Sequence, residues 1–316
     1  MKNSRIDFNT QWNSLCLKKC NKEKRKETTQ DDLCRETLSI SDNLPVRCVG
    51  GWAMQKIFHL IQYFGIFTIG MKSKWQGNIN YIEICSGPGR CVNRENGEEF
   101  NGTSICIIEH QASEYLKKIL FFDYNEKVVD TLNKRISARN AINAKAYIGD
   151  YNKPNDICDK IIEETKGVGL NLVFIDPTDC SVPFTLLKKI KERIKNVDFI
   201  VNFAIRTDVN RNIRNAVLHS ETHQNVVKKY TTFLGSNDFF NNPKVIETAN
   251  KGSQQDLRKL FRDEYMNSLK KIGYSHFDFK PIENYYDLVF ASSHETGIKF
   301  WSKANAIGFD GQRSLF

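Results

Sequence analysis

Apolar positions along the chain follow two spacings, and each spacing predicts a type of element. In WAMQKIFHLIQYFGIFTIGMKSKW, four apolar residues recur at helical spacing: Ile57, Leu60, Ile61 and Phe64. This recurrence predicts a helix that begins near Trp52. Short, continuous apolar runs then alternate with amphipathic segments along the chain. That alternation predicts buried parallel strands with helices on both faces of one sheet.

The runs also give an order of elements. Strands are expected at residues 80–85 and in ILFFD, AKAYIGD, LNLVFIDP and VDFIVNFA. Helices are expected in GTSICIIEHQASEYLKK, NEKVVDTLNKRISAR, PNDICDKIIEETK and VPFTLLKKIKERIK. The last two runs, SHFDFKPI and YYDLVFASS, are separated only by residues 283–285 and predict an antiparallel hairpin.

Composition divides the chain into two regions. Residues 1–47 are polar and lysine-rich and are expected to form a solvated or poorly ordered arm. Residues 48–316 are expected to form an α/β domain with a mainly helical insertion at about 206–272. The chain has no apolar run of about 18 residues and no apolar core at its N-terminus, so we expect a cytoplasmic protein without a membrane span or signal peptide.

Nine cysteines are scattered along the chain, and this favours free thiols over disulfides. Four of them precede the expected domain core: Cys16, Cys20, Cys34 and Cys48. A structural zinc normally uses two closely spaced pairs of ligands, and these four contain only one such pair. Free thiols and no bound metal are therefore the favoured interpretation, with a zinc site as the alternative.

The first expected strand ends in a motif that combines an acid with glycines, YIEICSGPGRC. It contains Glu83, Ser86, Gly87, Pro88 and Gly89. Glycine permits positive φ and lets the backbone approach a ligand closely. In doubly wound sheets, ligands lie beyond the carboxyl ends of the strands. The motif therefore predicts a ligand-binding turn.

The next two strands end in acids that suit one ligand. Asp123 is placed to accept both hydroxyls of a ribose, and Asp150 to accept the exocyclic amine of an adenine. Tyr124 and Tyr151, which follow these acids, are further candidate contacts. With Glu83 and the glycine turn at the amino-acid end, the pattern predicts an S-adenosylmethionine site. A nicotinamide or flavin cofactor is disfavoured because G-P-G-R-C-V lacks the third glycine of G-x-G-x-x-G, and NRENGEEFNG delays the next helix.

The fourth strand ends in Asp176-Pro177, a candidate catalytic pair. Amino methyltransferases that act on bases place an oxygen-bearing side chain and a proline carbonyl here, and both accept hydrogen bonds from the target amine. Thr178 and Asp179 stand where those enzymes have a second proline and an aromatic residue that stacks on a flipped base. Phe184 is a candidate for the missing ring. The alternative is that Asp176 only caps the following helix.

Positive charge is the remaining signal. The formal net charge is +9, which favours an acidic partner such as DNA or RNA. Three arginines follow the fifth strand: Arg206, Arg211 and Arg214. The last two share a helix face, so the group is a candidate for phosphate contacts. A solvated helix face is the alternative.

From about Asp42 to its end the chain resembles the three-Cys-motif partner proteins (TcmP). The resemblance rests on DNLPVRCVGGWAMQK, YIEICSGPGRC, FFDYN, IGDYN, FIDPTD, NFAIRTDVNRN and LVFASSHETGIKFWSKA…GQRSLF. It implies a Rossmann-like class I methyltransferase fold, with a mostly parallel seven-stranded sheet ending in an antiparallel hairpin. It also implies a partner on another chain, a radical-SAM-like protein with a three-cysteine motif. The chain departs from the family pattern at Glu83, Cys85 and PTDC.

Three functions stay open on this basis. The first is an S-adenosylmethionine-dependent methyltransferase that N-methylates an amino group on a nucleic-acid base. The second is a non-catalytic or cofactor-binding subunit of the radical-SAM-like partner, which the missing Pro-aromatic pair after Pro177 favours. The third is a small-molecule methyltransferase in which residues 206–272 close a pocket.

Overall fold

The computed structural model describes residues 6–19, 33, 34 and 36–311. Its strands are β1 (Gln11–Trp12), β2 (Arg47–Val49), β3 (Ile79–Ile84), β4 (Arg90–Asn93), β5 (Glu98–Asn101), β6 (Lys118–Asp123), β7 (Ala144–Ile148), β8 (Leu170–Ile175), β9 (Val197–Phe203), β10 (His276–Ile282) and β11 (Tyr286–Ser292). Its helices are α1 (Ser14–Lys19), α2 (Trp52–Trp75), α3 (Thr103–Glu109), α4 (Glu126–Ser137), α5 (Pro154–Thr165), α6 (Phe184–Arg193), α7 (Asn210–Leu218), α8 (Gln224–Leu234), α9 (Pro243–Asn250), α10 (Gln254–Lys271) and α11 (Glu295–Asn305).

Seven strands form one mostly parallel sheet in the order β10-β11-β9-β8-β3-β6-β7. β3, β6 and β7 run parallel, whereas β11 pairs antiparallel with both β9 and β10. Every residue of β3, β8 and β9 is buried, including polar residues such as Glu83 and Asn202, as expected in a sheet covered on both faces. The predicted Rossmann-like sheet with its terminal antiparallel hairpin is confirmed.

The chain divides into two compact units. The first contains residues 1–150, 169–171 and 300–316, and the second contains residues 151–168 and 172–299. In the first unit, α2 carries a buried aromatic row: the Tyr63 ring lies 5.4 Å from that of Trp301, and the Phe64 ring lies 5.7 Å from that of Tyr81. Trp301 has no exposed surface and contributes to the core of this unit.

The first unit also holds a small sheet that the sequence patterns did not predict. Its order is β1-β5-β4-β2, and the polar insertion after the glycine turn supplies β5 and the turn that joins it to β4. Arg90 and Glu99 form a fully buried ion pair between these strands, with Nε 2.7 Å from Oε1. Asn13 and Ser39 also donate to Glu99. Because these charged residues are paired, they can be buried. A polar, charged segment in a sequence would instead predict an exposed loop.

Described residues of the predicted polar arm are folded, which differs from the expected solvated segment. β1, α1 and the start of β2 come from it, and Phe8 is buried. Cys16 and Cys34 pack with Val46 and Val92 in a small core that Cys48 also contacts. Cys20 lies outside the described residues. Within the described ranges, no group of three or more His, Cys, Asp or Glu side chains is arranged to hold a metal ion.

The second unit contains the predicted helical stretch between β9 and β10. A π-helical turn, Ile205–Val209, leads into α7, and the helices enclose an aromatic core. The Phe233 ring lies 5.2 Å from Phe203 and 4.9 Å from Tyr265. No helix in the described parts of the chain has the length and apolar character needed to span a membrane.

One predicted helix is shorter than expected. GTSICIIEHQASEYLKK forms α3 and then a separate 3₁₀ turn at Gln111–Tyr115. His110 lies between them in an extended conformation, and its ring accepts a hydrogen bond from the Ala112 N–H at 3.0 Å. A side-chain cap of this kind starts a new helical segment and therefore interrupts the helix that precedes it.

Candidate functional site

The turn after β3 has the positive φ angles that its glycines suggested. Gly87 has φ +65° and Gly89 has φ +94°. Cys85 also has φ +65°, a region that costs a residue with a side chain about 1–2 kcal/mol. The N–H groups of Cys85 and Ser86 both donate to Phe122 O, at 2.9 and 3.1 Å. These bonds fix the turn against the end of β6.

Gly89 is required for steric reasons as well. A Cβ placed on it would lie 2.9 Å from Ile105 Cγ1 and 3.0 Å from Leu132 Cδ1. Its carbonyl also accepts a 2.8 Å hydrogen bond from the Gly102 N–H. The glycine turn is therefore closely packed against α3 and α4, and a side chain at this position would push it away from them.

Asp123 ties the end of β6 to the glycine turn. Its Oδ2 accepts from the Gly87 N–H and its Oδ1 from the Asn125 N–H, each at 3.1 Å. The side chain of Asp123 is buried, whereas the neighbouring Tyr124 is 53% exposed. The structure thus brings the predicted ribose acceptor and the glycine turn together.

The third strand end also belongs to the first unit. The Gly149 N–H donates to the Asp123 carbonyl at 2.9 Å, and this places the half-buried Asp150 next to the end of β6. Tyr151 begins the second unit, where its hydroxyl lies 3.1 Å from Ser181 Oγ. Of the predicted cofactor contacts, Tyr151 alone lies outside the first unit.

Glu83 is fully buried, with a hydroxyl donor on each carboxylate oxygen. Tyr81 donates to Oε2 at 3.0 Å, and Thr103 donates to Oε1. In this conformation its contribution is to join β3 to the start of α3, while its predicted contact with the amino-acid end of a ligand stays a prediction.

Arg135 stabilises the glycine turn, and the sequence patterns gave no sign of it. Its buried guanidinium donates to Pro88 O at 2.7 Å and to Pro45 O at 2.8 Å, and it pairs with both oxygens of Asp42. Burial alone would raise the pKa of Asp42. The hydrogen bonds and charge of Arg135 outweigh burial and hold this pKa below its ordinary value. A charged residue in a helical pattern gives no sequence signal for such a clamp.

Two features of the first unit suit a polar ligand at the turn. Ser86 is 7% exposed, and its Oγ is buried without a hydrogen-bond partner among the described residues. Buried hydroxyls normally have a hydrogen-bond partner, so we expect a ligand or a water to bind this oxygen. Arg47 Nη1 would lie 3.5 Å from a Cβ on Gly87, so a cationic side chain lies beside the turn. The turn, Asp123 and Asp150 therefore fit the predicted S-adenosylmethionine.

The candidate catalytic pair lies in the second unit. Asp176 is 7% exposed, and the Pro177 carbonyl accepts a 3.0 Å hydrogen bond from Asn202 Nδ2. One lone pair of the predicted amine acceptor is therefore already used. Phe184 is buried against Tyr265, with ring centroids 5.7 Å apart, so it does not supply the stacking ring for which it was a candidate.

Asp208, in the π-helical turn, fixes the loop that follows Pro177. Its carboxylate accepts from the Cys180 N–H at 3.0 Å and from Lys229 Nζ at 2.7 Å, and Tyr230 donates to it at 3.2 Å. Lys229 also reaches Asp179, at 3.4 Å. Burial lowers the pKa of Lys229, but its hydrogen bonds with Asp208 outweigh burial and raise it overall. Lys229 is therefore held as a cation in this network.

The three arginines after β9 do not form one group. Arg206 Nε lies 3.2 Å from Asp287, a fully buried carboxylate that Arg262 also contacts. Arg214 Nε donates to Ala249 O, at 3.0 Å, near the end of α9. Arg211 is exposed. Two of the three side chains thus have structural partners, and phosphate binding by this group stays a prediction.

Comparisons with known proteins found matches among solved structures. The sequence matches no family model and no curated protein. Among solved structures, N,N-8-amino-8-demethyl-D-riboflavin dimethyltransferase from Streptomyces davawensis is 10% identical over 73% of this chain and 54% of that chain, with a TM-score of 0.36. An O-methyltransferase from Bacillus cereus with bound SAH is 13% identical over 86% and 90%, with a TM-score of 0.41. The chain spans about half the length of the first enzyme.

Proposed function

We propose that the protein is an S-adenosylmethionine-dependent methyltransferase whose cofactor is held in the first unit. The observation that carries the proposal is the direct bond between the Gly87 N–H and Asp123, which joins a glycine turn to an acid at the ends of adjacent parallel strands. The cofactor supplies a methyl group on a positively charged sulfur. The residues of the chain then need to hold it, align it and exclude water.

The proposed target is an amino group on a nucleic-acid base. Two observations support this choice: the Asp176-Pro177 motif and the excess of basic residues. Asp176 would accept a hydrogen bond from the amine, with the second lone pair of the Pro177 carbonyl as its partner. The TcmP resemblance adds a proposed partner, a radical-SAM-like protein with a three-cysteine motif.

Substitutions separate cofactor binding from transfer. Asp123→Ala is expected to weaken binding of S-adenosylmethionine at least about tenfold, because a hydrogen bond to a charged group contributes about 1.5–3 kcal/mol. Asp176→Ala, in the second unit, should leave that affinity unchanged and abolish methyl transfer. Isothermal titration calorimetry and transfer of a radiolabelled methyl group to DNA and RNA measure the two effects. Normal binding by Asp123→Ala would remove the basis of the proposal.

A second candidate function is a cofactor-binding subunit without activity of its own. The bond from Asn202 to the Pro177 carbonyl and the pairing of Asp179 with Lys229 favour it, because both engage groups of the candidate catalytic loop. The same transfer assay distinguishes the candidates. Saturable cofactor binding without transfer to any DNA or RNA, until the radical-SAM-like protein is added, supports the subunit.

A small-molecule target is tested by salt dependence. Binding that depends on phosphate contacts weakens steeply as the salt concentration rises, since bound counterions are released. Affinity for DNA and RNA should therefore fall by orders of magnitude between low and moderate salt. A flat response would exclude phosphate contacts and favour a small-molecule substrate.

A further inference from the structure

The small sheet of the first unit places an arginine beside the glycine turn. β2 pairs parallel with β4, and Arg47 lies opposite Cys91 in that register. Since β4 begins at Arg90, directly after Gly89, the first residue of β2 is held next to the turn. A Cβ placed on Gly87 would lie 3.5 Å from Arg47 Nη1 and 3.7 Å from its Cδ. The Arg47 side chain therefore passes over Gly87.

A second observation at the same place points to a ligand. Ser86 precedes Gly87, and its buried Oγ has no hydrogen-bond partner among the described residues. The Arg47 guanidinium thus lies beside Gly87, and Ser86 is the residue before it, so two side-chain donors belong to one turn. Both donors suit an anionic acceptor with two oxygens.

We propose that Arg47 and Ser86 bind the α-carboxylate of S-adenosylmethionine. This proposal rests on the proposed function and adds to it the residues that recognise the amino-acid end. Arginine presents five N–H groups in a planar fork that matches a carboxylate, so it can keep a partner within the protein while it binds the ligand. The small sheet, which the patterns of the sequence did not predict, then has a function: it supplies this arginine.

Burial makes the contact selective. Arg47 is half-buried and Ser86 is buried, so the carboxylate would exchange water for two fixed donors in a site of low dielectric. A hydrogen bond between charged groups in such a place changes affinity by about 10- to 100-fold. A ligand without the carboxylate should lose this contribution, whereas its adenosine and amine would be unaffected.

The test combines variants of Arg47 with two ligands that differ only at the carboxylate. Calorimetry measures binding of S-adenosylmethionine and of decarboxylated S-adenosylmethionine to the wild type and to Arg47→Gln. The wild type should prefer the carboxylate-bearing ligand by about 10- to 100-fold. Arg47→Gln should lose most of this preference while binding the decarboxylated ligand as the wild type does. Arg47→Lys should restore part of it, because it retains the charge but not the fork.

Controls separate this role from a structural one. Arg139→Gln removes the same charge from the same unit, at an exposed pair with Glu109, and should leave the preference intact. Ser86→Ala should reduce the preference by a smaller factor than Arg47→Gln. Equal weakening of both ligands in Arg47→Gln would mean that Arg47 acts only on structure and would overturn the proposal, as would an unchanged preference. If the wild type bound neither ligand, the proposed function itself would fail.

Discussion

Gly89→Ala tests the close packing of the glycine turn against its neighbours. The substitution has two costs. A residue with a side chain at φ +94° costs about 1–2 kcal/mol, and the added methyl would meet Ile105 and Leu132 at 2.9 and 3.0 Å. Overpacking in a core typically costs about 1–3 kcal/mol. We therefore expect Gly89→Ala to lower the free energy of unfolding by about 2–5 kcal/mol in total.

Gly77→Ala is the matched control, because Gly77 also has positive φ, +78°, but has no atom within 4 Å of the position of a Cβ. Both substitutions change the entropy of the unfolded chain equally, so their difference reports the overpacking alone. All four tryptophans lie in the first unit, as both glycines do. Urea unfolding followed by tryptophan fluorescence therefore measures the relevant stability. If the two variants were equally stable, the turn would not be packed as described.

Three further predictions concern other parts of the structure. Cys85→Gly relieves the strain of positive φ, so its free energy of unfolding should equal that of the wild type or exceed it by up to about 1 kcal/mol. Cys85→Val should have a lower free energy of unfolding than the wild type in the same urea assay. The depressed pKa of Asp42 means that its stabilising contribution is complete above its unfolded pKa, near 3.8, and is lost as pH falls through the folded pKa. Acid unfolding of Asp42→Asn should therefore depend less on pH below about 4 than that of the wild type. Lys229→Met leaves Asp208 without its cation and should destabilise the loop after β8 by about 1–3 kcal/mol, measured as faster hydrogen exchange there; unchanged exchange would contradict the role of this pair.

The sequence predicted the central sheet well because its inner strands are fully buried. β8 and β9 are mainly apolar runs, and such runs have few alternatives to a covered strand. The small sheet was not predicted, since its hairpin is polar and its core is held by the pair of Arg90 and Glu99. Buried ion pairs have no apolar periodicity, so the same residues read as an exposed insertion.

The site could be predicted in part for a similar reason. Glycine and acid after a strand are local signals, and the structure does join Gly87 to Asp123. The contacts of Arg135 and Arg47 with the turn depend on residues that are distant in sequence, and no local pattern marks them. The role suggested for Phe184 was wrong, since its ring packs on Tyr265. An aromatic residue at the start of a helix gives the same sequence signal whether it faces the core or a ligand.

The central claim is that the first unit binds S-adenosylmethionine, and direct calorimetric titration tests it first. S-adenosylmethionine and NAD are titrated separately into the purified wild-type protein. The account predicts saturable one-to-one binding of S-adenosylmethionine and no binding of NAD. Binding of NAD in its place, or no binding of S-adenosylmethionine at millimolar concentration, would contradict the account.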